Sequence, residues 1–254
     1  MDNGFDSPKP TPRITLSSEL QNITSTTDPS ITLSSQDLLG PKELGDERKR
    51  FWNMLALLIP MTGYQSPEHR TVQVLDIACG KCREGFVLST YFGGNRFGNP
   101  SPNVLVSGID INPDDINTAN ENNSSYDIDR KTRVPMFNYQ FINGDATNLD
   151  QYPQLPQTAD VFVIRHQQIS SNEVTWTTIF QQAIDRLGEN GIGIITSFSD
   201  VEHDMLIGKL EQLHCEVVMN KPNPHAEPTE TQGVSVDRHI AIVKKGSLAS
   251  GILI

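Results

Sequence analysis

Short apolar runs that alternate with helical patterns constrain this chain more than any other feature. Val72-Gln-Val-Leu-Asp-Ile77, Val104-Leu-Val-Ser-Gly-Ile-Asp110, Met136–Ile142, Ala159-Asp-Val-Phe-Val-Ile164 and Gly191-Ile-Gly-Ile-Ile-Thr-Ser197 each have the length and the apolar content of one strand. Helical patterns intervene at Arg83–Tyr91, from Pro113 onward and at Val174–Leu187, the last stopped at Gly188, and another follows at Val201–Leu213. Pro113 opens its helix with Asp114 and Asp115 in the first turn, where the helix dipole favours negative charge. Strands that are apolar on both faces must be covered on both faces, which means a parallel sheet between two layers of helices. The last two strands, Cys215–Met219 and Arg238–Val243, have no helix between them and should close the sheet as an antiparallel pair. The expected architecture is a doubly wound, mostly parallel sheet of seven strands with helices on both faces.

A further helix precedes the sheet. Phe51, Trp52, Leu55, Leu58 and Ile59 fall on one stripe of Glu43–Ile59, and Pro60 and Gly63 end it. This helix, with Arg50 and Trp52, either covers a ligand or simply packs on the sheet. Residues 1–40 are rich in Ser, Thr and Pro, carry scattered apolar residues and bury too little to offset their ordering cost; they are expected to be a flexible arm, with one domain over 41–254. The Gly/Asn/Pro-rich stretch 93–103 reads as an inserted loop.

In open α/β sheets, ligands bind beyond the carboxyl ends of the strands, where the strand order reverses. Three loops, each with an acid, meet there: the one from Asp76, the one from Asp110, and Asn143-Gly-Asp145. A helix start after the first strand offers free N–H groups. This arrangement suits a nucleoside-type ligand. The first loop also contains Cys79-Gly-Lys-Cys82, a C-x-x-C before a helix, and a redox dithiol is the competing reading. A zinc site would need two more ligands, and His214-Cys215 does not have a diagnostic spacing, so no metal is expected.

On these motifs the chain resembles the class I S-adenosylmethionine-dependent methyltransferases over about residues 44–245. The resemblance implies that Asp76 orders the first loop and that the backbone of Ala78, Cys79, Gly80 and Lys81 packs against the methionine part of the cofactor. It implies that Asp110 holds the ribose hydroxyls with Ile111 against the adenine. Asp145, with Ala146, would read the adenine amine, and Arg165 and His166 would line the methyl-transfer end. His166 is a candidate general base. The first motif departs from the family's pattern, because Gly80 alone remains of its glycines, with Ala78 and Cys82 flanking. The Asn/Asp-Pro-Pro-aromatic motif of amino-directed nucleic-acid methyltransferases is missing, and the Ala-Cys-Gly-Lys turn resembles the messenger-RNA cap enzymes in that turn alone.

The formal net charge of −11, from 20 basic and 31 acidic residues, disfavours nucleic acid and anionic membranes as partners. Three cysteines with no disulfide spacing suit a reducing compartment, and neither a signal peptide nor a membrane-length apolar run is visible. The expected location is the cytoplasm, with export that uses no cleaved signal left open. The expected function is methyl transfer from S-adenosylmethionine to a small molecule or protein side chain, giving S-adenosylhomocysteine. A methyltransferase fold that has lost catalysis and serves as a binding module is the alternative.

Overall fold

The computed structural model describes residues 42–93, 104–124 and 138–246, so the arm at 1–40 and most of the loop at 93–103 lie outside the described residues. The sequence folds into a helix α1 (Lys42–Leu58), then β1 (Val72–Ile77), α2 (Gly85–Gly93), β2 (Val104–Asp110), α3 (Pro113–Ser124) and β3 (Asn138–Asn143). There follow β4 (Ala159–Arg165), α4 (Glu173–Asp185), β5 (Leu187–Ser197), α5 (Asp200–Gln212), β6 (Glu216–Pro222), the short β7 (Glu227–Pro228) and β8 (Ser235–Val236), and β9 (His239–Lys244). The main sheet has the order β3-β2-β1-β4-β5-β9-β6. All its pairs are parallel except those of β9, which runs antiparallel to both β5 and β6.

Alternation along the strands builds two cores. Val72 and Val74 of β1, with Val106, Val161, Val163, Ile192 and Ile194, meet Phe51, Met54 and Leu55 of α1 and Val87 and Leu88 of α2 on one face. Leu75 and Ile77, with Phe162, Ile164 and Ile195, meet Phe180 and Ala183 of α4 and Leu206 and Leu210 of α5 on the other. The expected stripe on α1 is buried in full, and Trp52 sits edge-on to Tyr91 at 5.3 Å between ring centroids. At roughly 1.5–3 kcal/mol for each fully buried large apolar side chain, that stripe alone is enough to fix α1 on the sheet. Asp76 continues the row of Val72 and Val74, so the strand carries its acid to the α1–α2 face at the sheet's carboxyl end.

Beyond shifts of one to three residues at other element ends, with Met136 of the expected third strand outside the described residues, two features differ from the sequence reading. The helix expected to run to Leu187 ends at Asp185, because the Arg186 carbonyl accepts from the Ala159 amide at 2.8 Å and Leu187 already pairs with Ala159 in the sheet. Gly188 therefore lies inside β5. The segment between the closing strands, expected to be loop, contains the β7–β8 hairpin. Strand order reverses between β1 and β4, and the carboxyl ends of those strands define where a ligand should sit.

Candidate functional site

The first wall of the site is the loop leaving β1. Ala78, Gly80 and Cys82 all have left-handed backbone, with φ of 55°, 50° and 42°. Glycine takes this conformation freely, whereas Ala78 and Cys82 are strained by about 1–2 kcal/mol each. Four interactions hold the loop in place. The Cys79 amide donates to the Ile109 carbonyl at 3.1 Å, and the Cys82 amide to the Cys79 carbonyl at 2.8 Å. The Gly80 amide donates to Asp110 Oδ2 at 2.8 Å, and Cys82 Sγ–H to Asp76 Oδ2 at 3.1 Å. Gly108 of β2 makes room for Cys79: a Cβ there would meet Cys79 Sγ at 2.8 Å and Phe141 Cδ1 at 2.7 Å.

The cysteines do the packing in this loop. Both are buried, against Ile116 and Ala119 of α3. Their mutual hydrogen bond lowers the Cys79 pKa, but burial and the nearby Asp76 outweigh it and push the thiol up to about 11. Burial pushes Cys82 well up too. This is the opposite of the lowered thiol pKa that a reactive dithiol at a helix start has. Among the described residues, no group of three His, Cys, Asp or Glu side chains could hold a metal ion.

The second wall stands across the cleft at the end of β4. Arg165, only 7% exposed, is held by Asp237 through Nε–Oδ1 at 3.1 Å and Nη2–Oδ2 at 2.7 Å. It also reaches Glu84 at 3.3 Å and Glu47 at 3.7 Å, and lies over the Phe51 ring at 4.4 Å. Asp237 further accepts from the Thr196 hydroxyl at 2.6 Å and is 3.0 Å from His166 Nε2. Burial works against the Asp237 carboxylate, yet Arg165 and His166 hold its pKa well below the usual range. Burial likewise opposes the Arg165 charge, and Asp237 and Glu84 raise its pKa further above neutrality. The His166 ring stacks on Phe198, with centroids 4.4 Å apart.

Between these walls lies a cleft of about 840 Å³. Ala78, Cys79, Gly80, Lys81, Arg165 and His166 all line it. Asp76 lies beneath, 1% exposed, with Oδ1 lacking a partner among the described residues. Burial and the Glu84 charge raise its pKa well above the usual carboxylate value. Asp110, Ile111, Asp145 and Ala146 are not lining residues. Asp110 fixes the loop through Gly80 and accepts from the Asn112 amide at 2.8 Å. Ile111 is 73% exposed, Asp145 accepts from the Thr147 amide at 2.9 Å as a helical cap, and Ala146 is buried in the α4–α5 core.

Of α1, Arg50 lines the cleft and pairs with Glu227 of the β7–β8 hairpin, while Trp52 belongs to the core. The structure adds Glu47, Glu84, Phe198 and Asp237 to the site. Asp237 lies 72 residues from Arg165 in the chain, and nothing local in the sequence signals their pairing.

Residues 68–239 match the family model described as a methyltransferase domain. No curated protein sequence matches the chain. Among solved structures, an S-adenosylmethionine-dependent methyltransferase from Clostridium acetobutylicum superposes with a TM-score of 0.55 at 10% identity, over 78% of this chain and 92% of that one. One from Methanosarcina mazei gives 0.53 at 16% identity over 74% and 97%. The N-methyltransferase NodS from Bradyrhizobium japonicum gives 0.52 at 12% identity over 79% and 97%. The chain belongs to the methyltransferase-domain family, on the class I fold. No helix among the described residues is long and apolar enough to cross a membrane.

Proposed function

We propose that the cleft between the ends of β1 and β4 is where this chain transfers a methyl group from S-adenosylmethionine to a small molecule or a protein side chain. The observation that carries this reading is the left-handed loop 78–82, which lines the cleft at the carboxyl end of β1, where open ligand sites lie in sheets of this kind.

The other residues fit the same group. Beside Gly80, the place of a Cβ is open space for 4 Å, so a ligand can approach the backbone closely. Each Asp110 oxygen holds one backbone N–H and keeps a second lone pair for a ribose hydroxyl. Ala78–Lys81 would hold the methionine part and Arg165 would support the reacting end, while Ile111 and Asp145 with Ala146, outside the cleft lining, would meet the adenine only where the ligand extends past Asp110. The cleft volume suits a ligand of that size. Bound S-adenosylmethionine supplies a methyl group already activated by its sulfonium. The chain's own contribution is to orient the acceptor in line with that methyl and to keep water out, an effect of proximity. Five acids around the cleft are nearly balanced by Arg50, Lys81, Arg83 and Arg165, so it is the formal net charge of −11 that opposes a polyanionic acceptor. The three free cysteines support a cytoplasmic location.

Calorimetric titration with S-adenosylmethionine and S-adenosylhomocysteine tests the reading. Micromolar binding, about −8 kcal/mol, is expected for the full chain and should weaken in Asp110→Ala. No binding by the unaltered chain would overturn it.

A further inference from the structure

His166 and Asp237 form a pair that the methyl-transfer reading does not by itself require. We propose that His166 is the base that takes a proton from the methyl acceptor, that Asp237 positions it, and that the acceptor is therefore an O–H or N–H compound. This rests on the methyltransferase reading and deepens it.

The geometry settles which nitrogen is the base. Asp237 is ionised, gripped at both oxygens by Arg165, so it can only accept. His166 Nε2, 3.0 Å from Asp237 Oδ1, must then carry the hydrogen, and the neutral ring keeps its lone pair on Nδ1. Nδ1 has no partner among the described residues, and the ring lines the cleft with its side chain 28% exposed. Two constraints stop the ring from turning away. It is stacked on Phe198, and its backbone is left-handed at φ 62°, a conformation that a non-glycine residue keeps only where its surroundings enforce it. Asp237 is fixed in turn by Thr196 and Arg165, so it cannot leave Nε2 to compete for the proton.

Asp237, Glu84 and Glu47 face Arg165, and Glu47 also meets Arg83 at 3.3 Å. In the reaction, Nδ1 takes the proton of the acceptor X–H as X bonds the methyl carbon. The electron pair of the methyl–sulfur bond goes to sulfur, giving a neutral thioether, and the positive charge ends on His166. Such a base serves an alcohol, phenol or amine that holds a proton; it serves no purpose for a tertiary amine, thioether or carboxylate.

The test is nitrogen NMR of the full chain with ¹⁵N-labelled histidine rings, the His166 signal being assigned by its loss in His166→Gln. The expected result is a neutral Nε2–H tautomer in the unaltered chain and loss of that preference in Asp237→Asn. A neutral Nδ1–H tautomer in the unaltered chain would overturn the proposal whether or not the variant folds. In parallel, methyl transfer is assayed on alcohols, phenols and primary amines beside tertiary amines and thioethers. Turnover of the first group, with kcat reduced about 100-fold and KM unchanged in His166→Gln, is expected. Turnover confined to the second group would overturn the acceptor class. Calorimetry with S-adenosylmethionine is scored separately: lost binding there counts against the methyltransferase reading, while the tautomer reports on the dyad alone.

Discussion

The two walls of the cleft are built on opposite principles. The β1 wall is made from backbone: three left-handed residues, one of them a glycine, with unused hydrogen-bonding capacity at Asp76 and Asp110. The β4 wall is made from charge: Arg165, Asp237, Glu84 and Glu47 satisfy one another. A wall with capacity to spare is ready to receive a ligand. A wall with its charges paired is rigid, and rigidity is what a group that must aim at a reacting atom needs. The contrast fits the proposed division of labour, with binding at the first wall and positioning at the second.

Removing one charge from the second wall should have the largest effect. Asp237→Ala leaves Arg165 buried without its bidentate partner and should cost about 3–5 kcal/mol in urea unfolding. If it costs no more than a surface change, the second wall is not rigid and the contrast fails. The same pair sets the acid limb of stability. The Asp237 pKa lies below its ordinary 3.8 in the folded state, so its contribution is fully present above that value. It should be lost as pH falls from about 4 downward. Asp237→Asn should flatten the stability profile in that window and leave it unchanged near neutrality apart from a constant loss.

The first wall should respond to volume. Gly108→Ala drives a methyl into Cys79 Sγ and Phe141 and should cost about 1–3 kcal/mol, with weakened S-adenosylmethionine binding. Cys79→Ala should restore part of both in the double variant. If Cys79→Ala gives no relief, the loop is not shaped by this contact. The smallest effect belongs to the mouth of the cleft. Glu227→Ala removes an exposed pair with Arg50 and should change stability by less than about 1 kcal/mol.

The contrast also explains what could be seen in the sequence. The strands were legible because burial on both faces leaves continuous apolar runs, and the α1 stripe because one buried face imposes a helical period. The β1 wall was legible because its residues are consecutive. The β4 wall was only half legible. Arg165 and His166 stand at a strand end, but Glu47 and Asp237 come from distant parts of the chain and look like ordinary surface acids. Their partnership exists only once the sheet has brought β4 and the approach to β9 together. The Leu187 and β7–β8 discrepancies are of the same kind: both are decided by tertiary pairing against Ala159 and Val236, which local pattern does not carry.

The place of β9 has a consequence for how the protein is made. It is the last strand of the sheet in chain order, yet it is inserted between β5 and β6, and among the described residues it is the sole pairing partner of β6. A ribosome delivers β1 to β5 first, and these can pair as they emerge. The sheet's far edge must wait, and Asp237, two residues before β9, arrives with the closing strand. Until then Arg165 and His166 stand without their anchor. The β4 wall is thus completed only after the β1 loop and every parallel strand have been delivered.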